Sequence, residues 1–358
     1  MRIALNYRVI KYSGIGAYTK YLAEGYMRLG QEVFLYDDIL DSSDNGLRKY
    51  INTIKRVIKD ITMLSKWLKN HSIDLYHVPK NTGVPFFSPV PVVVTIHDVI
   101  PHVFPKQYFK NDFERLYYEL SIKHSITKSK KIITVSEFSK KEIINAYGVD
   151  ASKIAVVLNA YNSAFKLIED SSFLEAVRKK YNLKEKYILA LGGSEYRKNI
   201  QRLIRVYIAH FSQTYQLVVI GGKWRDVDLS RQFASEKNIY FLTNVPEEDL
   251  VAIYNMATVF VFPSFYEGFG IPVLEGMACG VPVVTSNVSS IPEVGGDAAV
   301  YFNPYDEDDM AAKIHNVLED EFLQKKMVAR GLEKIKEYSW DKCAKETLQV
   351  YEEVLNSK

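Results

Sequence analysis

The signature of this chain is the stretch Ser264-Phe-Tyr-Glu-Gly-Phe-Gly-Ile-Pro-Val-Leu-Glu-Gly-Met-Ala-Cys-Gly-Val-Pro282. It follows the run Thr258-Val-Phe-Val-Phe262, whose β-branched and aromatic residues are typical of a buried parallel strand. Gly268 and Gly270 allow the backbone to approach a ligand closely, and Pro272 suits the first turn of a helix because it has no N–H group. We therefore predict a strand, a loop and a helix in that order, with the bare N–H groups of the helix start available to a phosphate.

Two glutamates lie on either side of this predicted helix start. Glu267 is in the loop and Glu275 is in the helix, with seven residues between them. A carboxylate that faced the phosphate would repel it. A sugar hydroxyl, by contrast, donates a charge-assisted hydrogen bond to a carboxylate, which is about twice as strong as a neutral one. The two carboxylates are therefore expected to bind sugar and ribose hydroxyls.

This spacing resembles the Glu-x7-Glu motif of the retaining GT-B glycosyltransferases of family 4. The likeness covers most of the chain. Five further motifs follow in the family's order: Ser13-Gly-Ile-Gly-Ala-Tyr18, Val94-Thr-Ile-His-Asp98, Val135-Ser-Glu-Phe-Ser-Lys140, Arg197-Lys-Asn199 and Ser289-Ser-Ile-Pro-Glu-Val-Gly-Gly-Asp297. The resemblance implies an α/β protein of GT-B architecture, with two Rossmann-like, doubly wound domains that face each other across a cleft. It also implies retaining transfer of a hexosyl unit from a nucleotide-diphosphate sugar.

The order of predicted elements agrees with two such domains, because strand-like apolar runs alternate with helical patterns twice over. The first half contains strands at Ile3–Leu5, Glu32–Tyr36, Leu75–His77, Val92–Thr95 and Lys131–Val135, and the second at Tyr187–Leu191, Gln216–Ile220, Ile239–Leu242, Val259–Phe262 and Val281–Thr285. We predict an acceptor-side domain over residues 1–168 and a nucleotide-sugar domain over residues 169–337. The resemblance implies that a last helix, residues 338–358, crosses back to the first domain, and Trp340, Leu348, Tyr351 and Leu355 suit that packing.

Composition places the chain among ordinary globular proteins. Of its 358 residues, 47% are hydrophobic and 25% are charged, so a sizeable core can form. Cys279 and Cys343 are the two cysteines, which argues against a disulfide scaffold or a zinc cluster and favours a reducing cytoplasm. The sequence begins with a strand-like run and shows no export signal or membrane span. We expect a cytoplasmic protein.

The net charge of +3 conceals an asymmetry. Residues 1–170 contain 24 Lys and Arg against 17 Asp and Glu, whereas residues 171–358 contain 22 against 26. Part of the excess lies in Lys55–Lys59 and Lys66–Lys69, where apolar residues recur at helical spacing, and part in Lys123–Lys131. We hypothesise peripheral contact with the inner face of an anionic membrane or with a lipid-pyrophosphate acceptor. A solvated helix face is the alternative, and no module for nucleic-acid binding is present.

Transfer from a nucleotide-diphosphate sugar requires that the negative charge on the leaving diphosphate be neutralised. By resemblance, Arg197 and Lys198 are the cations that do so, with Lys198 the clearer match. Asp306-Glu-Asp-Asp309 and Asp226-Val-Asp228 contain the Asp-x-Asp pattern of some metal-dependent transferases, but the first opens a helical pattern and is interpreted as a helix start. We therefore predict no metal and no other cofactor.

The resemblance assigns the remaining site residues. His97 would reach the transferred sugar or the reaction centre, with Asp98 either orienting it or capping a turn. Gly14 and Gly16, placed between the first strand and a helix that begins near Ala17, would line the donor diphosphate. Glu267 would bind the donor sugar. The other predicted donor contacts are the N–H groups of Gly268, Phe269 and Gly270, the ribose-binding Glu275 and the backbone of Val245 at the base.

The predicted partners are a nucleotide-sugar donor and a saccharide or lipid-linked acceptor, in the synthesis of surface polysaccharide or glycolipid. A mannosyl donor is favoured, and glucosyl and deoxyhexosyl donors stay open. An NAD-dependent oxidoreductase would need a third glycine that Ser13–Thr19 lacks. A two-domain small-molecule-binding protein would need export, and a phosphorylase of similar fold would need a much longer chain.

Overall fold

The computed structural model describes residues 1–7, 14–37, 63–223 and 227–357. The chain forms two compact units, the first comprising Met1–Asn159 with Ser339–Lys358 and the second Ala160–Tyr338. The boundary between the two units thus lies before the predicted boundary between residues 168 and 169. The reason is that residues after Asn159 pack within the second unit. The Phe165 ring lies 5.6 Å from that of Tyr254, and the Ile168 N–H donates to Asn255 Oδ1.

The first unit is an α/β domain built on one sheet. Its strands are β1 (Arg2–Asn6), β2 (Glu32–Tyr36), β3 (Leu75–Val78), β4 (Val92–Thr95), β5 (Lys131–Thr134) and β6 (Ile154–Val156). Its described helices are α1 (Gly14–Arg28), α2 (Ser65–Asn70), α3 (Ile100–Val103), α4 (Pro105–Tyr108), α5 (Asp112–Lys128), α6 (Glu137–Tyr147) and, from the end of the chain, α15 (Trp340–Asn356).

All strand pairs of the first sheet are parallel, in the order β2-β1-β3-β4-β5-β6. The strand order reverses between β1 and β3, and such a switch point opens a crevice at the carboxyl ends of the strands. The five predicted strands are confirmed within one or two residues at each end. The edge strand β6 is an addition to the prediction. The prediction that a helix begins near Ala17 is wrong, because α1 begins at Gly14.

The second unit has the same architecture. Its strands are β7 (Tyr187–Leu191), β8 (Gln216–Ile220), β9 (Ile239–Leu242), β10 (Val259–Phe262), β11 (Val283–Ser286) and β12 (Ala299–Phe302). Its described helices are α7 (Ser171–Lys180), α8 (Ile200–His210), α9 (Leu229–Gln232), α10 (Glu247–Met256), α11 (Ile271–Ala278), α12 (Ile291–Gly295), α13 (Glu307–Glu319) and α14 (Glu321–Lys334).

The second sheet is also parallel, in the order β12-β11-β10-β7-β8-β9. Numbered from its own first strand, this is the 3-2-1-4-5-6 order of a Rossmann domain, with the switch point between β7 and β10. The predicted strands are confirmed, although β11 begins at Val283 rather than Val281, and β12 was missed. Pro272 lies in the first turn of α11, as predicted.

The last helix packs inside the first unit against α1. A Cβ atom added at Gly25 would lie 2.6 Å from the Cβ of Ala344, so the two helices touch closely where Gly25 has no side chain. Trp340, Leu348 and Tyr351 are buried, and Leu355 is half-buried. In the part of the chain that the structure describes, no helix combines the length and the apolar character needed to cross a bilayer.

Candidate active site

The switch point of the second sheet brings together two loops that are far apart in sequence. The loop after β7 carries Arg197 and Lys198, and the loop after β10 carries Glu267. Because β7 and β10 are neighbouring parallel strands, both loops leave the sheet at the same carboxyl edge. The predicted cations and the first glutamate of the Glu-x7-Glu motif are therefore brought into contact.

The Glu267 carboxylate binds both cations at once. Its Oε1 accepts a hydrogen bond from Lys198 Nζ at 2.7 Å, and its Oε2 lies 2.6 Å from Arg197 Nη1. Arg197 also donates from Nε to Glu195 Oε1 at 2.8 Å. The side chains of Arg197 and Lys198 are 14% exposed, and that of Glu267 is 9% exposed. The cluster is thus a compact, largely desolvated charge network.

Electrostatics keep Glu267 ionised. Burial acts to raise the pKa of its carboxyl, but Arg197 and Lys198 outweigh burial and lower that pKa to about 2. For Lys198, burial lowers the pKa of the ammonium group, and the Glu267 carboxylate opposes this effect. An ammonium group has three N–H donors, so Lys198 can bond to Glu267 and to a phosphate oxygen at the same time.

Glycines set the course of the Lys198 loop. A Cβ atom at Gly192 would lie 2.6 Å from Lys198 Cβ, so the lysine side chain passes directly over this glycine. Gly193 has a φ of +54° and packs on Gly222, whose carbonyl oxygen would lie 2.2 Å from an added Cβ. The Ser194 N–H donates to that same carbonyl at 3.0 Å. Two backbone segments therefore touch here, and the contact requires that Gly193 have no side chain.

The Glu267 loop is held by a pair of serines after β11. The Glu267 N–H donates to Ser289 Oγ at 3.1 Å, and Ser290 Oγ–H contacts the carbonyl oxygens of Glu267 and Phe269, each at 2.8 Å. Gly270 follows with a φ of +106° and precedes the start of α11. The backbone of residues 267–270 is thus fixed at a helix N-terminus, where the resemblance places a phosphate or sugar contact.

Glu275, the second glutamate of the motif, lies on α11 within electrostatic range of Lys198. Burial, together with the neighbouring charge of Glu247, raises the pKa of its carboxyl to about 7. Tyr254 is another neighbour, and its hydroxyl acts to lower that pKa. Val245, the predicted base contact, is half-buried and lies two residues before the start of α10.

In the first unit, His97 follows β4 at the carboxyl edge of the sheet. Its Nε2 lies 3.1 Å from the carbonyl oxygen of Pro79, and a carbonyl can only accept, so Nε2 carries the proton and Nδ1 is the acceptor. The ring packs edge-to-face on Tyr18 with centroids 4.7 Å apart. Burial lowers the pKa of the imidazole to about 4 even though the Pro79 carbonyl opposes this. His97 is therefore neutral at physiological pH.

A buried chain of hydrogen bonds begins at Tyr18, whose ring packs on His97. Tyr18 Oη lies 3.1 Å from Thr95 Oγ1, which lies 2.8 Å from His77 Nε2. His77 Nδ1 lies 2.6 Å from Tyr351 Oη on the last helix, and Tyr351 Oη lies 2.9 Å from Tyr26 Oη. Burial, with a smaller contribution from His97, lowers the pKa of His77 to about 3. The chain joins α15 to the strands that carry the site.

The other predicted residues of the first unit lie near the helix starts. Gly14 and Gly16 lie within α1 rather than in a loop before it, with Gly14 exposed and Gly16 buried. Asp98 accepts the Ile100 N–H at 3.0 Å, so it caps the turn into α3. This observation supports the capping alternative for Asp98.

The Asp-x-Asp sequences have ordinary structural roles where they are described. Asp306 caps α13 by accepting the N–H groups of Asp308 and Asp309, and Asp228 caps α9. Asp226 lies outside the described residues. Within the described residues, no group of three or more His, Cys, Asp or Glu side chains could hold a metal ion.

Sequence reasoning missed the structural partners of the site. Ser289 and Ser290 belong to the motif Ser289–Asp297, which predicts no role for them, and nothing in the sequence singles out Glu195 or Tyr254. The positive φ of Ser289, +59°, marks a tight turn that orients the serine pair. Two adjacent serines in a sequence do not indicate a contact with a loop more than twenty residues earlier. Only the fold reveals the hydrogen bond between the Glu267 N–H and Ser289 Oγ.

Comparison with known proteins agrees with this geometry. A family model described as "Glycosyl transferases group 1" matches residues 174–334, and one described as "Glycosyltransferase Family 4" matches residues 12–165. The O-antigen chain mannosyltransferase B of Escherichia coli is 37% identical over 294 residues, which cover 79% of this chain and 75% of that protein. The serotype-specific mannosyltransferase WbdA of Escherichia coli is 29% identical over 85% of this chain, but the match spans only 38% of WbdA.

A solved structure shows the same fold. Anabaena Alr3699/HepE in complex with UDP-glucose superposes with a TM-score of 0.76 over 99% of this chain and 100% of that one, at 16% identity. The predicted fold class, two Rossmann-like domains of the GT-B type, is confirmed. The oxidoreductase, binding-protein and phosphorylase alternatives are wrong, because both family models and the relatives describe glycosyltransferases. The chain belongs to the group 1 glycosyl transferases of glycosyltransferase family 4.

Proposed function

We propose that this glycosyltransferase moves a mannosyl unit from a nucleotide-diphosphate sugar to a saccharide or lipid-linked acceptor, in the synthesis of a surface polysaccharide or glycolipid. The observation that carries the proposal is the contact of Lys198 and Arg197 with Glu267 at the switch point of the second sheet. Mannose is favoured because similar proteins are described as O-antigen mannosyltransferases.

In this proposal the leaving diphosphate binds at the cations and at the start of α11. Lys198 and Arg197 supply fixed positive charge, and the N–H groups of residues 268–270 supply oriented donors, so no metal is required. Fixed charges of this kind need no rearrangement as negative charge develops on the departing phosphate. Glu267 holds the two cations in place and presents its carboxylate to a sugar hydroxyl. Glu275 accepts hydrogen bonds from the ribose.

His97 is proposed to bind the transferred sugar. Its neutral imidazole offers Nδ1 as an acceptor to a sugar hydroxyl, while Nε2–H is held by the Pro79 carbonyl. The transfer is proposed to retain the anomeric configuration by attack on the face that the leaving phosphate vacates, with that phosphate as the base. A product of inverted configuration, or a trapped sugar–enzyme adduct, would contradict this part of the proposal.

The donor is tested by incubating the purified chain with GDP-mannose, UDP-glucose and a deoxysugar nucleotide, with NAD as a negative control. We expect GDP-mannose to give the largest rise in melting temperature and the fastest release of nucleoside diphosphate, because a ligand that binds only the folded state stabilises it. Stronger stabilisation and turnover with UDP-glucose would contradict the mannosyl assignment. Stabilisation by NAD alone would contradict the function.

A further inference from the structure

Helix α5 (Asp112–Lys128) exposes an apolar face. Its inner side carries the buried Ile122 and Ser125. On its outer side, Phe113, Leu116, Tyr117 and Leu120 recur at intervals of three and four residues and are 57%, 56%, 48% and 59% exposed. Residues at this spacing share one side of a helix. A surface helix normally turns such a stripe towards the core and polar residues towards solvent. The exposed apolar stripe of α5 is therefore unusual.

A second segment extends this face. Phe86 and Phe87, in the loop after β3, are 49% and 66% exposed. The Phe86 ring lies 4.2 Å from the ring of His124, which is one helical turn beyond Leu120 on α5. Single exposed hydrophobic residues are common on protein surfaces, whereas a contiguous group marks an interaction site. We call Phe86, Phe113, Leu116, Tyr117 and Leu120 the apolar face.

Cations border the apolar face. Lys123 and Lys128 are exposed on the last turns of α5, on either side of the stripe, and Lys106 and Lys110 are exposed just before the helix. Residues 103–131 contain seven Lys and Arg against three Asp and Glu. Two of these acids, Asp112 and Glu114, lie in the first turn of α5, where carboxylates stabilise a helix start. The surface therefore combines exposed apolar side chains with net positive charge.

We propose that the apolar face and its lysines bind the headgroup region of an anionic lipid bilayer. The helix would lie in the membrane plane, with Phe113, Leu116 and Leu120 at the acyl boundary and the lysine ammonium groups among the headgroups. The phenol of Tyr117 suits the same depth, because tyrosine favours membrane interfaces. The occupant is a lipid surface, because net positive charge beside exposed apolar side chains is complementary to anionic headgroups above an acyl layer. The inference does not depend on the proposed transferase chemistry.

The test is co-sedimentation of the purified protein with vesicles of phosphatidylcholine and with vesicles of an equal mixture of phosphatidylcholine and phosphatidylglycerol. The wild type is expected to bind the mixed vesicles more strongly. The variant Leu116→Ser/Leu120→Ser should lose binding to the mixed vesicles by at least about tenfold, since each buried methylene contributes to membrane affinity. Lys123→Glu/Lys128→Glu should abolish the preference for the anionic mixture.

Matched controls come from α14 in the second unit. Phe322→Ser removes a side chain that is 78% exposed, and Lys325→Glu/Lys326→Glu reverses two exposed lysines on the same helix. Both should bind vesicles as the wild type does, and all variants should keep the wild-type melting temperature because the altered side chains are exposed.

Two results would overturn the proposal. One is wild-type binding that is absent, or that survives Leu116→Ser/Leu120→Ser unchanged. The other is a wild type that is a dimer by light scattering and binds neither kind of vesicle, with Leu116→Ser/Leu120→Ser a monomer. In that case a second copy covers the apolar face. Glycosyl transfer to a soluble acceptor is measured in a separate assay. A negative result in vesicle binding is therefore distinguishable from failure of the proposed function.

Discussion

Among single residues, Glu267 is the buried anion that joins Arg197 and Lys198. A carboxylate that is 9% exposed would be costly to bury alone. Two cations compensate for that cost, and the same two cations are the groups that a diphosphate would bind. In the proposed function, Glu267 therefore holds the two cations in place for the diphosphate. Lys198 and Glu275 allow two direct tests.

Replacing Lys198 with alanine is expected to reduce turnover far more than nucleotide binding. A preorganised cation that meets developing charge contributes about two to three orders of magnitude to kcat. We therefore expect the kcat of Lys198→Ala to fall by about that amount, with only a severalfold change in nucleotide affinity. Steady-state kinetics with the preferred donor check this, and Lys237→Ala, at an exposed position, serves as the control. A Lys198→Ala enzyme with wild-type kcat would remove the lysine from the mechanism.

Glu275 should make donor affinity depend on pH. Burial raises the pKa of its carboxyl to about 7, so the group is mostly protonated at pH 6 and mostly ionised at pH 8. Only the ionised form accepts charge-assisted hydrogen bonds from both ribose hydroxyls, so GDP-mannose affinity should rise across this range by roughly fivefold, or about 1 kcal/mol. Calorimetric titration of wild type and Glu275→Gln checks this. The Gln variant should bind weakly and without this pH dependence, and an identical slope in both proteins would refute the assignment.

At the scale of elements, the paired glycine turns after β7 and β8 set the position of the Lys198 loop. A Cβ atom at Gly193 would lie 2.2 Å from the Gly222 carbonyl oxygen, and the residue has a positive φ. Gly193→Ala should therefore lower the free energy of unfolding by at least about 2 kcal/mol and displace Lys198. Gly222→Ala is the matched control, because its Cβ would meet open space. Equal urea midpoints for the two variants would show that the turns do not depend on this contact.

The last helix is tied to the first sheet by Tyr351. Its hydroxyl joins Tyr26 Oη and His77 Nδ1 in a fully buried chain of hydrogen bonds. Tyr351→Phe should leave two buried polar groups short of a partner and lower the free energy of unfolding by about 2 kcal/mol. Tyr305→Phe, where the ring is 62% exposed, should have little effect. Urea denaturation of both proteins is the measurement, and a Tyr351→Phe midpoint equal to that of the control would contradict the role of the hydrogen-bond chain.

The helices and strands also show which elements the sequence predicts correctly and which it does not. Strong apolar runs such as Val259–Phe262 predicted the buried inner strands correctly, because residues that face helices on both sides of a sheet must all be apolar. The strands β6 and β12 were missed, since each is an edge strand with mostly half-buried residues and little pattern. The predicted start of α1, near Ala17, is too late because glycine favours loops, whereas Gly14 and Gly16 are helical.

At the scale of the whole molecule, the Glu-x7-Glu stretch and its companion motifs were sufficient to predict two Rossmann-like domains and the family. They could not predict that Lys198 and Glu267, 69 positions apart, would be in contact. That contact depends on the strand order, which places β10 beside β7. The serine pair at Ser289 and Ser290 was beyond sequence reasoning for the same reason. The apolar face of α5 was also invisible, because its residues have the spacing expected of a buried stripe.

The central claim is that fixed positive charge, rather than a divalent metal ion, stabilises the departing nucleotide. The most direct measurement is the rate of nucleoside diphosphate release from the preferred donor, in the presence of acceptor, with and without excess EDTA. The wild type should release nucleoside diphosphate at the same rate in both conditions, and Lys198→Ala should release it at a strongly reduced rate in both. Activity that is lost in EDTA and restored only by magnesium or manganese would contradict it.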